Sequence, residues 1–490
     1  MSTQKISSSE ALPKVGAKEL IGIVCSLATF WLCGQTFLNL GPTVGAELSI
    51  SSGVMNIIVS LASLVCGMFI VMWGAIGDRW GRVKTIVLAN ILAIIGSLLI
   101  AFVFGSPAIA TTMLIAGRVL QGMSTGAAMT AGLSLINTYW QGEARATALS
   151  IFSMGTFGGM SLSSVFGGVV NGALGWRAIF IFAAVLGAIG ILLLRSVPES
   201  APHAGNPSSI DLMGTALLAL TMVSFQLILT QGANWGWTSF ITLAMIATFI
   251  ISIIGFVFQE QRAEAPLIDF KVFRNKEFTG AVLANFCVTA SAGLITVALW
   301  VLQGAGGMTA TTSGYLTLSY AVVLLAFIRV GEKMMNAKGR RLPMMIGTAL
   351  VFISIVMLSL TNTMQNTYVI LGVIAFGIYG LGLALFATPA TSTAMGSLPS
   401  DQIGVGGGVF KMASSLGSAI GIAISSTVFT MLQTSGTHVV GAFIEYSGRQ
   451  SNLAVREAGT VALLVLSLFA ILAFVVVFIT VGKKKAPANK

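Results

Sequence analysis

The sequence predicts an all-α polytopic membrane protein with fourteen transmembrane helices, and three observations lead there. Hydrophobic residues make up 56% of the 490-residue chain and charged residues only 8%, against roughly a quarter charged in a soluble domain. So few charges cannot cover a water-facing surface, so most of the exterior faces lipid. Apolar runs long enough to cross a bilayer, about 20 residues each, recur along the whole chain. The basic residues between these runs fall almost entirely on one side.

The runs lie at 20–43, 53–77, 84–104, 109–138, 147–172, 176–195, 212–232, 237–259, 278–303, 311–331, 342–361, 367–394, 404–433 and 459–481. Only helices and closed barrels satisfy their backbone polar groups in lipid, and runs of this length are helices.

With the N-terminus in the cytoplasm, all but five of the 26 basic residues fall in inside segments. Arg177, Arg449 and Arg456 fall outside, while Arg118 and Lys411 lie within apolar runs. This asymmetry predicts a multi-pass protein of the plasma (inner) membrane with both termini cytoplasmic and an even number of spans. The net charge of +11 therefore reads as membrane orientation and not as nucleic-acid binding.

The longest inside connections, 195–211 and 260–277, bracket two helices. The expected layout is 6+2+6: an N-terminal six-helix half at 1–195, a linker with two extra central helices and a cytoplasmic loop at 196–277, and a C-terminal half at 278–490. The outside segment at 434–458 is expected to be a long external loop.

Cys25, Cys33, Cys66 and Cys287 all lie in apolar runs and read as packing thiols. There is no metal-ligand spacing, nucleotide-binding loop or nucleophile–base pair. The expectation is a transporter and not an enzyme, with no cofactor and no metal. Its partners would be a small-molecule substrate, protons and the lipid bilayer, and it would work as a monomer.

Four motifs carry the chemistry. In GAIGDRWGRVK (Gly74–Lys84), between the second and third runs, Asp78 sits at a helix end beside Arg79 and Arg82, and Gly77 and Gly81 permit a tight turn. Arg329, Glu332, Gly339, Arg340 and Arg341 form a degenerate echo, as two repeated halves would. In GRVLQGMSTGAA (Gly117–Ala128), Arg118 is a charge inside a span, a functional candidate by default. Gln121 shares its face, and Gly122 and Gly126 form a close-packing stripe. Arg118 reads either as a coupling residue or as a tie to backbone carbonyls. Lys411 heads a face with Ser414, Ser415 and Ser418, and Gly417 and Gly421 mark a close helix contact. Lys411 reads as an anion or proton site, or as a lysine snorkelling to the cytoplasmic interface. In the first run Trp31, Gln35 and Asn39 recur at four-residue spacing before Pro42. They line a central cavity, where Trp31 offers a stacking face, or they pack against neighbouring helices.

By these boundaries none of the fifteen acidic residues lies deep in a span. The deep charges are two cations, so the cavity favours anionic or zwitterionic amphiphiles over dications. Glu47, Asp78 and Glu332 at the membrane edges stand as candidate proton acceptors.

The Gly74–Lys84 segment resembles the signature loop of the major facilitator superfamily. That resemblance implies a major facilitator fold working by alternating access, with Gly77, Asp78, Arg79, Gly81 and Arg82 gating the cytoplasmic side. Gly117–Ala128 resembles the family's fourth-helix motif, whose arginine is tied to proton coupling. On this resemblance Arg118, Lys411 and Glu332 are the coupling candidates, and Trp31, Gln35, Asn39, Arg118, Gln121, Lys411 and Ser415 the substrate candidates. The chain is similar throughout to the fourteen-helix drug:proton antiporter group, through Ala265–Phe278, Asp211–Gly214 and Trp176–Phe180. Within that group Ala28–Asn39, Phe327–Met335, Phe386–Ala394 and Val409–Gly417 are similar to the NorB/NorC quinolone-efflux branch. Two departures stand out. Ser163-Ser164 replaces the Gly-Pro of antiporter fifth helices, and Ser392 stands where the quinolone branch has an aspartate. The resemblance implies proton-coupled multidrug efflux and antibiotic resistance. The alternative is proton-coupled uptake of an anionic metabolite.

Overall fold

The computed structural model describes residues 16–141, 144, 147–148, 151–152, 154–199, 211–263, 266–268, 270–398, 403–435 and 452–482. The side chains of Asp78, Ala233, Asn234, Ser435 and of 403–405 lie outside the described residues. Among the described residues, fourteen helices are long and apolar enough to cross a membrane. They are α1 (Ala17–Glu47), α2 (Ser52–Gly77), α3 (Arg82–Ala101), α4 (Pro107–Tyr139), α5 (Met154–Leu174), α6 (Trp176–Leu194) and α7 (Leu212–Gly232). The series continues with α8 (Phe240–Arg262), α9 (Lys276–Gly304), α10 (Ala310–Lys338), α11 (Arg341–Ser359), α12 (Gln365–Gly396), α13 (Gly406–Thr434) and α14 (Leu453–Thr480). Each predicted run coincides with one of these helices, and no strand occurs among the described residues. Because the spans alternate, the start of α1 and the end of α14 share one side of the bundle, here the terminal side. The opposite end is the far side.

The packing repeats. Five pairs in the first six helices (α1 with α5, α1 with α6, α2 with α4, α3 with α4, α3 with α6) recur eight helices later. The recurring pairs are α9 with α13, α9 with α14, α10 with α12, α11 with α12 and α11 with α14. The two groups meet through α2 against α13 and through α5 against α10. Helices α7 and α8 pack on each other, and α7 lies against α2 and α13, where Gln226 donates to Ser60 Oγ at 2.5 Å. The repeat extends to the turns. Gly81 ends the helix before α3 with φ +118°, and Gly339 ends α10 with φ +86°, conformations that favour glycine.

The structure corrects the boundary of the last span. Arg456 and Glu457, expected in the outer loop at 434–458, lie inside α14 and are buried. The reason is local. Arg456 Nη1 donates to the Thr361 carbonyl at 2.8 Å and Nη2 to Gln365 Oε1 at 3.0 Å, so it satisfies acceptors in the turn after α11. Glu260, expected just beyond the eighth run, likewise belongs to α8 and is 4% exposed. Two carboxylates are therefore buried in the end turns of spans, while none lies in the middle of one among the described residues.

Candidate functional site

Helix α1 is not one regular helix. Ala17–Ala28 is α-helical, Thr29–Cys33 makes a π turn, Gly34–Thr36 makes 3-10 turns, and Phe37–Glu47 is α-helical again. Such irregular turns inside helices concentrate at functional sites. They also rotate the four-residue spacing of Trp31, Gln35 and Asn39 away from a single straight face.

Arg118 is fully buried against this irregular segment. Its Nε donates to the Ile58 carbonyl at 3.0 Å and Nη2 to the Val59 carbonyl at 2.9 Å. Nη1 donates to the Gly34 carbonyl at 2.8 Å and to Gln121 Oε1 at 3.0 Å. Gln121 Nε2 in turn donates to Ser97 Oγ at 3.2 Å. The guanidinium also lies 5.0 Å from the Phe37 ring centroid, a cation–π contact. Arg118 thus binds α1, α2 and α4 together through backbone carbonyls. The glycine stripe beside it serves the same packing: a Cβ at Gly122 would come 2.5 Å from the Ala62 carbonyl oxygen.

Asn39 is fully buried and joins four helices on the far side. Its Nδ2 donates to the Ser164 carbonyl of α5 at 3.0 Å and to the Ala310 carbonyl at the start of α10 at 2.9 Å. Its Oδ1 accepts from Gln303 Nε2 of α9 at 2.7 Å. Gln303 also reaches Ser313 Oγ at 3.2 Å, and Thr311 Oγ1 donates to the Gly168 carbonyl at 2.5 Å. Glycines permit the approach of α5 to α10. A Cβ at Gly168 would lie 2.8 Å from the Ala310 oxygen, and one at Gly314 2.6 Å from the Ser164 oxygen. Asn56 adds a second clasp, donating to the Ser426 carbonyl and to Thr430 Oγ1 at 3.2 and 3.1 Å. These bonds close the far side.

Lys411 is half-buried about two turns into α13, with its Nζ 5.8 Å from the Phe157 ring centroid of α5, across the group interface. The neighbouring serines turn to helix packing. Ser415 Oγ lies 3.6 Å from Cys66 Sγ, and Ser414 Oγ accepts from Asn285 Nδ2 at 2.6 Å. A Cβ at Gly421 would come 1.9 Å from the Ala290 carbonyl oxygen, so α9 and α13 touch backbone to backbone. Trp31 is half-buried, edge-on to Phe30 at 5.3 Å, and its Nε1 is buried without a hydrogen-bond partner. Gln35 is buried beside it, 2% exposed.

On the terminal side, the signature loop is held within its own helix group. Arg82 donates to Thr138 Oγ1 at the end of α4. The Glu199 carboxylate accepts from the backbone N–H groups of Val83 and Lys84, both at 3.0 Å, capping the N-terminus of α3. Arg79 and Glu332 are exposed, and Gly77 packs on Thr85. The sequence reading missed Gln303, Phe157 and Glu199. Gln303 could have been found as a lone amide ending an apolar run, but Glu199 lies in a Pro/Ser-rich connector that carries no such signal.

A helical repeat with close-packed glycine seams between its two groups is the architecture of a secondary transporter. The Major Facilitator Superfamily family model matches residues 20–422, and the chain belongs to that family. Over 427 residues it is 39% identical to the quinolone resistance protein NorB of Staphylococcus aureus strain MRSA252, covering 87% of this chain and 91% of that protein. Among solved structures it is similar to a POT family transporter in complex with a thioalcohol-conjugated peptide. The TM-score is 0.65 at 13% identity, covering 93% of this chain and 95% of that one. It is also similar to a D-xylose-proton symporter, with a TM-score of 0.59 at 16% identity, covering 92% and 95%. At that identity the structural likeness concerns the fold. The chain is a multi-pass membrane protein of the major facilitator type.

Proposed function

We propose that this protein exports amphipathic drugs or metabolites from the cell in exchange for protons, by alternating access between two six-helix halves. The observation that carries the reading is the 39% identity to NorB quinolone resistance proteins over 87% of the chain. In this reading α1–α6 and α9–α14 are the halves, α7 and α8 are a peripheral pair between them, and a monomer is the working unit. The terminal side is the cytoplasm, which agrees with the crowding of basic residues in the segments there.

The substrate class follows from the interface charges. Lys411, with the Phe157 face opposite, offers a cation and an aromatic surface from different halves, which suits a flat molecule bearing a carboxylate. Arg118 spends four of its five N–H donors on carbonyls and Gln121, so its role is to hold α1 in its irregular shape while the halves move. Gly77, Asp78, Arg79, Gly81 and Arg82 form the cytoplasmic gate, with Glu332 at its edge as a coupling candidate.

The test is drug-driven proton movement in everted membrane vesicles. Adding a zwitterionic quinolone to vesicles acidified inside should release protons, and vesicles without the protein should not respond. Release that is equal in both preparations would overturn the reading.

A further inference from the structure

Away from the pathway, the terminal-side ends of α7 and α8 bring two carboxyl groups together. Asp211 precedes α7 and caps it, its Oδ1 accepting from Gly214 N–H at 2.7 Å. Gln259 Nε2 donates to Asp211 Oδ1 at 3.1 Å and to Oδ2 at 3.3 Å. Glu260, 4% exposed, uses Oε2 to accept from Ile268 N–H at 2.8 Å. Its other oxygen, Oε1, is buried without a hydrogen-bond partner. A Cβ at Gly214 would lie 2.6 Å from both Glu260 Oε1 and Asp211 Oδ2, so these oxygens are at most twice that distance apart. Glycine at this position leaves room for both oxygens.

A buried carboxylate oxygen with no donor, set beside a second, partly exposed carboxylate, is unfavourable unless it carries a proton. The charged group facing Glu260 from α7 is Asp211. The connecting segment presents the Ile268 and Leu267 N–H groups. On α8, Gln259 is turned to Asp211, and the Arg262 guanidinium lies over the Phe258 ring at 3.9 Å. Glu264 and Asp269 lie outside the described residues. Among the described residues the donor set is too small for a divalent cation, which takes six or more oxygens, and Asp211 already receives Gly214 N–H and Gln259.

We infer that Glu260 and Asp211 form a proton-binding site, in which one proton on Glu260 Oε1 is shared with Asp211 Oδ2. Binding the proton joins the ends of α7 and α8 and leaves Glu260 Oε2 free to hold Ile268. The segment it holds leads to Asn275, which caps α9 through Glu277 and Phe278 N–H and donates to the Ser397 carbonyl after α12 at 2.6 Å. Loss of the proton sets two like charges against each other while the ionised Glu260 keeps the Ile268 N–H, so the site senses pH through the packing of α7 on α8. The proton site itself does not depend on the direction or substrate of transport.

The test is infrared spectroscopy of the full-length protein in lipid nanodiscs, comparing wild type with Glu260→Gln and Asp211→Asn at neutral pH. The expected result is a protonated-carboxyl C=O band in wild type that vanishes on alkaline titration and is missing from both variants. Asp211→Asn supplies an amide donor to Glu260 Oε1 and removes the need for the proton, so it also serves if Glu260→Gln fails to fold. A wild type without the band, or a band unchanged in both variants, would overturn the inference. Neither result depends on a transport assay.

Discussion

Asn39 of α1 and Ala310 of α10 are joined by a 2.9 Å hydrogen bond across the two repeated helix groups, between residues far apart in the chain. Asn39 spends both amide hydrogens and its oxygen on three other helices, and nothing of it is left for a substrate. It is a far-side clasp, and opening that side must break it. Asn39→Ala removes the clasp, leaving the Ser164 and Ala310 carbonyls without its amide and Gln303 with only its longer bonds to the residue-39 carbonyl and Ser313 Oγ, costing the closed state about 1–3 kcal/mol. That is roughly a 5- to 150-fold shift toward far-side-open molecules. The check is impermeant-maleimide labelling of Ser164→Cys in a background without the native cysteines. Labelling should accelerate from outside the cell, and an unchanged rate would mean that the clasp does not hold the gate.

Arg118 makes four hydrogen bonds, three of them to carbonyls on α1 and α2. Lysine keeps the charge but not the planar fork that reaches them. Arg118→Lys should therefore lose about 3 kcal/mol of stability, from charge-assisted bonds worth about 1.5–3 kcal/mol each and only partly replaced. Thermal unfolding in detergent reads this directly. A lysine variant as stable as wild type would show that charge alone suffices.

The two glycines Gly421 and Gly372 separate packing from propensity. At Gly421 a methyl group would meet the Ala290 carbonyl at 1.9 Å, whereas at Gly372, inside α12, nothing lies within 4 Å. Gly421→Ala should cost about 1–3 kcal/mol or more by overpacking. Gly372→Ala should be neutral or stabilising by about 0.4–1 kcal/mol. Thermal shift of the two proteins side by side is the measurement.

Glu199 caps α3 at the signature loop, accepting from Val83 and Lys84. Glu199→Ala should weaken the first turn of α3 by about 0.5–2 kcal/mol, the range for a lost N-cap. Hydrogen exchange at the Val83 and Lys84 amides should speed up accordingly, and exchange at the start of α11 should not change.

Much of the fold was legible because lipid leaves the chain few options. Each span had to be a continuous apolar run, and the glycine pairs Gly122/Gly126 and Gly417/Gly421 announced the backbone contacts they make. The candidate site was less legible, because its partners are remote in sequence. Asn39 looked like a pathway residue from its spacing within one helix. Its true partners lie 125, 264 and 271 residues away, and the π turn at Thr29–Cys33 has no sequence marker that would have shifted the phase. The same limit hid Arg456, Glu457 and Glu260. Each looked like a loop charge until the partners that draw it into a helix were in place.

The central claim is proton-coupled export with Lys411 engaging the substrate. Its most direct test is efflux of a fluorescent zwitterionic quinolone from energised cells carrying wild type, Lys411→Ala or Lys411→Arg, each with and without a protonophore. Wild type should empty the cells in a protonophore-sensitive way, Lys411→Ala should lose at least about tenfold in rate, equivalent to about 1.4 kcal/mol, and Lys411→Arg should retain part of it, all at equal expression. Efflux no faster than in cells without the protein, or undiminished efflux by Lys411→Ala, would contradict it.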